Sequence, residues 1–303
     1  MLPTLVLNVV RAQRPIGTQT RGTTNPNRLR RVDRWLIDRY AAPLRSEPAP
    51  VVVDLGYGAH PVTTFELAGR LREVNPGVRV VGLEIDPVRV AVARPLARDG
   101  VLFARGGFEV SLPAELAEPS GPRARPLVIR AANVLRQYAE ADVGPAWTAM
   151  TGALAPGGVL LDVTSDELGR RCCWVEVRAE GPVSLSFGAA LNRLDRPGEL
   201  AERLPKALIH RNVPGEGIHT FLSAWDAAWR RQAPAGTYGR RQRFIAAARS
   251  LRDQGWPVTG GTRRWRIGEL TVAWSVVAPS ASPPATPATR ASTSRMTSLV
   301  TPP

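Results

Sequence analysis

Lysine is almost missing from this chain. Lys206 stands alone, yet lysine and arginine together number 40 against 26 acidic residues, giving a formal charge of +14. The positive charge is therefore carried by arginine, which suits anionic partners such as nucleic acid. A chain rich in Arg, Ala and Pro throughout also has the look of GC-rich coding, so the charge alone does not choose between these origins. Cysteine is equally scarce: Cys172 and Cys173 are the two present, and they are adjacent. Neighbours in a strand point to opposite faces, which excludes a bond between them. A disulfide scaffold and a cysteine metal site are both excluded by this spacing. Long apolar runs are missing too, and none approaches the ~20 residues of a membrane-spanning helix. The opening "MLPTLVLNVVRAQR" has no basic segment before its apolar run, so the expectation is a reducing cytoplasm and no membrane.

What is present is enough apolar sequence, 44% of 303 residues, for one large core. Residues 1–48 read as an N-terminal extension ending in a lid-like helix. Within it "NPNRLRRVDRWLIDRY" has Asn25 as N-cap, Pro26 at the first helical position and an apolar stripe of Leu29, Val32, Leu36 and Tyr40. Residues 49–278 read as the main domain. There, near-continuous Val/Leu/Ile strands alternate with helices, as in a parallel sheet covered on both faces. After Asp166, "RCCWVEVR" and "VSLSFGAAL" predict a hairpin, two helices follow, and "RRWRI" with "LTVAWSVV" predicts a second hairpin around Gly268. Residues 279–303 are Pro, Ser, Thr and Ala and predict a disordered tail.

One stretch carries the first chemical signal. "VVVDLGYGAHP", Val51 to Pro61, is a buried strand ending in Asp54 and followed by Gly56 and Gly58. In an open α/β sheet, ligands sit beyond the carboxyl ends of the strands. The two glycines let the chain turn tightly and a ligand come close. A dinucleotide fingerprint wants a third glycine where Pro61 stands, and Asp54 would face a diphosphate with the wrong charge. A cofactor with a positive amino group suits Asp54 better.

This stretch resembles motif I of the class I S-adenosylmethionine-dependent methyltransferases, and further motifs follow in the family's order from Pro50 to Asp166. "VVGLEID" is similar to the family's second strand, which places Glu84 at the ribose hydroxyls with Asp86 two residues on. "ARGGFEVSLP" stands where the family has a Gly-Asp pair beside the adenine; Gly107 replaces that aspartate, and Phe108 is expected to pack on the ring. "AANVLRQY" resembles the end of the fourth strand and places Asn133 near the transferred methyl. "ALAPGGVLL" is similar to the turn into the fifth strand. The resemblance implies a doubly wound, mostly parallel, seven-stranded Rossmann-like sheet with an N-terminal helical extension and a β-hairpin insertion. It implies S-adenosylmethionine as cofactor, bound by Asp54, Gly56, Gly58, Glu84, Asp86, Gly107, Phe108 and Asn133, and transfer of its methyl group to an acceptor.

Ordinary structure explains several of these residues equally well. Asp86 precedes Pro87 at a helix start and is an N-cap candidate; Asn133 is a turn former. Trp225 and Trp229, four apart on a helix, are expected in the core. His60 reads as a cap or water contact, and His219 as a loop residue near Glu216 with a base role as the alternative. No catalytic base or metal ligand is named. The fourth strand lacks an Asn/Asp-Pro-Pro-aromatic motif, which argues against methylation of a base or amide nitrogen. The acceptor stays open among small molecule, protein and RNA, as does the oligomeric state. Two alternatives remain: a non-catalytic nucleic-acid or partner-binding protein, favoured by Gly107, and a nicotinamide-dependent oxidoreductase, disfavoured by Asp54 and Pro61.

Overall fold

The computed structural model describes residues 15–98, 100–116 and 124–280. Five apolar runs make the parallel half of one sheet: β1 (Val51–Leu55), β2 (Arg79–Glu84), β3 (Val101–Arg105), β4 (Val128–Ala132) and β5 (Val159–Ser165). They lie in the order β3-β2-β1-β4-β5, so ligand-accessible space opens where the order reverses, between β1 and β4. Helices α2 (Val62–Arg72), α3 (Pro87–Ala93) and α4 (Glu140–Ala153) link the strands. Side chains alternate between two cores, as a two-residue period requires. Val53, Leu83 and Ile129 pack with Met150 of α4 on one face, and Val52, Val80 and Val128 pack with Leu67 of α2 on the other.

Beyond β5 the chain reverses. β6 (Arg171–Arg178) and β7 (Gly181–Ala189) form the expected hairpin, but it is no insertion: β6 pairs antiparallel with β5 and extends the sheet. Two further strands, β8 (Val258–Thr259) and β9 (Glu269–Ala273), continue it through β7. The sheet therefore has nine strands and is mixed, where the sequence predicts seven. The second hairpin is also corrected. "RRW" lies in a helical turn that buries Trp265, and β9 takes β7 and β8 as its partners. Cys172 and Cys173 are free and sit in opposite cores. Trp225 is core: its ring lies 5.3 Å from Phe187 and 5.7 Å from Phe244.

Helix α1 spans Arg30–Ser46, later than the Asn25 start predicted; Asn25 instead donates its amide to Glu167 O. The helix passes Pro43 by kinking at Tyr40, whose backbone is non-helical. Val32, Leu36, Tyr40 and Leu44 are buried against the sheet, with Trp35 5.6 Å from Trp174. This helix is thus a layer of the core; the segment before it, 15–24, is what crosses the strand ends. The tail expected from Pro279 lies outside the described residues beyond Ser280. Among the described residues no helix is long and apolar enough to cross a membrane.

Asp162 of β5 is buried, with Trp147 Nε1 donating to its carboxylate at 3.1 Å. Burial pushes its pKa up to about 7, partly offset by that hydrogen bond. The folded state then keeps a proton that the unfolded chain releases near pH ~4. Stability from this group is present below that pH and is lost as pH rises towards 7, by about 1.4 kcal/mol per pH unit. Asp162→Asn is expected to flatten this slope, so that the variant gains on the native protein between pH 4 and 7. Urea midpoints at three pH values check it; parallel curves would reject the assignment.

Candidate functional site

The turn between β1 and α2 builds one wall. Gly56 (φ +71°) and Gly58 (φ +83°) adopt left-handed backbone, and a Cβ on Gly58 would lie 2.5 Å from Gly22 O. Glu84, at the end of β2 and only 1% exposed, fixes this loop. One of its carboxylate oxygens accepts from Gly58 N at 3.0 Å and the other from Ile85 N at 2.9 Å. Arg89 Nη1 lies 3.6 Å from it. Asp86 caps α3 by accepting from Val88 N at 2.9 Å and also accepts from Gln19 Nε2 at 2.6 Å. It borders neither cavity of the site.

Asp54, which the resemblance places at a cofactor's amino group, borders the large cavity and is already engaged by side chains of the protein. Arg130 of β4 is fully buried beside it: Nε donates to Asp54 Oδ1 at 3.0 Å, and Nη2 lies 2.8 Å from Oδ2. Thr64 Oγ1 donates to Oδ2 at 2.7 Å. The same guanidinium pairs with Asp33 of α1 and donates to Thr63 O at 3.0 Å. Asp33 also pairs with Arg70 at 2.6 Å. Burial works against the Arg130 charge, but the two carboxylates more than offset it and raise its pKa. Asp54 therefore joins α1, β1, α2 and β4 through one buried cation.

At the end of β3, Gly107 carries no side chain, as the sequence shows, but a carboxylate is present nonetheless. Glu109 turns back so that Oε1 accepts from Gly107 N at 2.8 Å. Val110 follows at φ +52°, a costly conformation for a β-branched residue. Phe108 is buried with its ring 5.1 Å from Tyr138. The Glu109 carboxylate and the Phe108 N–H form an acceptor beside a donor, both facing the N-terminal segment. Ile16 meets them with its backbone: its N–H donates to Glu109 Oε2 at 2.7 Å, and its C=O accepts from Phe108 N at 2.9 Å. The carbonyl lies where a Cβ on Gly107 would be, 2.1 Å away. Thr18 N donates to Tyr138 Oη at 2.5 Å. Only about 20 Å³ remains here, bounded by Gly56, Glu84, Gly107, Phe108 and Tyr138.

Beside it lies a cavity of about 830 Å³, bordered by Asp54, Gly56, Gly58 and Asn133. Asn133 has left-handed backbone (φ +57°), and its Oδ1 accepts from Ser165 N at 2.9 Å, so it joins β4 to β5. Arg21, Arg28, Arg136, Arg170 and Arg203 complete the rim. His60 and His219 border neither cavity, and Glu216 is engaged by Arg211 and Ser280. Among the described residues no group of three His, Cys, Asp or Glu side chains is arranged to hold a metal. The sequence reading missed Arg130, Glu109, Arg136 and Arg203. Arg130 was detectable as a lone charge inside the apolar strand "LVIRAA".

No protein-family model and no curated protein matches the chain. Solved structures do. The chain is similar to the CcbJ methyltransferase from Streptomyces caelestis, at 19% identity and TM-score 0.34, covering 54% of this chain and 70% of that one. It is similar to magnesium protoporphyrin IX methyltransferase from Synechocystis with bound SAH, at 16% identity and TM-score 0.33, covering 45% and 53%. A third is the CMeT domain of the citrinin polyketide synthase, at 16% identity and TM-score 0.31, covering 40% of this chain. The chain spans 30%, 38% and 51% of the length of the first three structures compared.

Proposed function

We propose that the protein binds S-adenosylmethionine at the ends of β1 to β4 and transfers its methyl group to an acceptor in the adjoining cavity. The observation that carries this reading is the pairing of the Glu109 carboxylate with the Phe108 N–H. A carboxylate next to an N–H suits an adenine edge, whose amino group donates and whose ring nitrogen accepts. An extended peptide offers the same donor and acceptor, and Ile16 has them engaged here. Glu84 stands between this pair and the glycine turn, where the sequence resemblance places a ribose. The donor set thus fits the adenosyl group once residues 16–18 withdraw.

Glu109 and Phe108 would hold the base, with Phe108 and Tyr138 packing beside it, and Glu84 would take the ribose. Gly56 and Gly58 admit the remaining chain of the cofactor towards Asn133. The cofactor supplies an activated methyl group on sulfur, whose leaving group is a neutral thioether. The protein's task is then to align the acceptor and exclude water, plus a proton acceptor for some substrates. The nine-stranded sheet, with β6 to β9 beyond the switch point, would set the acceptor side. Calorimetric titration with S-adenosylhomocysteine, NAD and NADP in parallel tests the reading. Saturable binding of S-adenosylhomocysteine alone is expected; preference for either nicotinamide dinucleotide would replace it with the oxidoreductase reading.

A further inference from the structure

Three arginines from separate parts of the chain converge on the large cavity. Arg28 precedes α1, Arg136 follows β4, and Arg203 ends the turn 197–203. Arg28 is used up on backbone: Nε, Nη1 and Nη2 donate to Asp166 O, Thr23 O and Ser165 O. Arg136 and Arg203 are not. Arg136 Nη2 donates to Glu202 O at 3.1 Å, but Nη1 is buried with no hydrogen-bond partner. Arg203 Nε is also buried without one; the nearest carboxylate, Glu202, is 3.7 Å away and already serves Arg171 at 3.0 Å. Burial lowers the pKa of Arg28 and of Arg136, and the Arg203 charge lowers both further. Asp166 and Glu167, which border the cavity, offset part of this lowering at Arg28. Asp54 is paired with Arg130, and Asp166 accepts from the N–H groups of Leu168, Arg170 and Arg171.

We propose that Arg136 and Arg203 bind the carboxylate or phosphate of a small anionic molecule in this cavity. Resting on the reading above, that molecule is the methyl acceptor, and its anionic end is anchored opposite the glycine turn. Both side chains border the cavity, and planar guanidinium groups match such oxyanions; the buried Arg136 Nη1 and Arg203 Nε would turn towards the ligand to donate. Concavity favours a small molecule over a nucleic-acid backbone.

Inorganic phosphate and citrate are the probes, titrated at constant ionic strength against chloride and read by thermal shift and calorimetry. A saturable rise in Tm absent with chloride is expected. The Arg136→Gln/Arg203→Gln variant should weaken that binding at least tenfold, while keeping its own Tm and its affinity for S-adenosylhomocysteine. Chloride acting equally, or a variant with unchanged phosphate and citrate binding, overturns the site. Binding of a single-stranded RNA without either small anion would also overturn it. Anion binding with no S-adenosylhomocysteine binding in the native protein would remove the methyl-transfer reading and leave this site standing.

A second inference rests on the N-terminal segment. Residues 16–18 dock through their main chain, since the Ile16 side chain is exposed. The contacts continue along the segment: Arg89 Nη2 donates to Thr20 O at 2.9 Å, and Ala59 N to Gly22 O at 3.0 Å. We infer that this strap is an internal competitor, its Ile16 peptide occupying the donor–acceptor pair that an adenine would use. Two variants test it by calorimetry with S-adenosylhomocysteine and adenosine. A chain lacking residues 1–18 should bind at least one of them tenfold more tightly than the native chain. So should full-length Ile16→Pro, which removes the N–H offered to Glu109. Weaker binding in both variants would make the strap part of the ligand site and overturn the inference, as would unchanged affinity. Tighter adenosine binding with no response to S-adenosylhomocysteine would uphold the strap and reject methyl transfer.

Discussion

Arg130→Met is expected to destabilise the protein by about 3–5 kcal/mol, the usual cost of removing one partner from a buried ionic group. The substitution keeps much of the side-chain volume but leaves Asp54 without its cation and Asp33 with Arg70 alone. Asp33 is fully buried, and Asp54 is nearly so where it borders the cavity, so water is a poor replacement for the guanidinium. Adding Asp33→Asn and Asp54→Asn to Arg130→Met should recover part of the loss, because it removes the charges that the methionine strands. The effects are therefore expected to be non-additive. Chemical denaturation of the four proteins (native, Arg130→Met, the double Asn variant and the triple variant) measures this. A loss below about 1 kcal/mol in Arg130→Met would mean that the network adds little beyond its own desolvation.

The second large effect is expected in ligand binding. Glu84→Ala should lower affinity for S-adenosylhomocysteine at least tenfold, since hydrogen bonds to a charged group are each worth about 1.5–3 kcal/mol. Two losses combine. The carboxylate proposed to take the ribose disappears, and Gly58 N loses the acceptor that fixes the glycine turn. Glu84→Gln keeps an oxygen for Gly58 and is expected to lose less. Circular dichroism verifies folding, and calorimetry compares affinities. Native affinity in a folded Glu84→Ala protein would remove β2's end from the cofactor site.

The parallel half of the sheet was legible from residues 50–166 because each strand is a buried apolar run bounded by turn residues. The antiparallel half was less so. "RCCWVEVR" shows a strand, but whether a hairpin inserts or extends the sheet depends on pairing with β5, which strand composition does not encode. The short β8 falls below any periodic signal. In the site, the glycine turn, Glu84 and Phe108 were readable as positions. The ion pairs around Asp54 were not, because its cation, Arg130, lies 76 residues away in sequence and is shared with Asp33, 97 residues from Arg130. Gly107 suggested a missing carboxylate; the backbone turn at Val110 returns Glu109 to the same strand end, and a single sequence does not reveal that turn.

The ionic cluster around Arg130 also sets an order for synthesis on the ribosome. Asp33 and Asp54 emerge long before the strand that carries their shared cation, and β1 has β2 on one edge while its other edge waits for β4. A nascent chain ending before residue 130 has Arg70 to pair with Asp33 but no cation for Asp54. Its first helix and first strand can dock through their apolar contacts and the Asp33–Arg70 pair only against the cost of burying Asp54 unpaired. Arrival of β4 supplies the neighbouring strand and the cation at one stroke, so the amino-terminal half is committed to its final arrangement late, by a single residue.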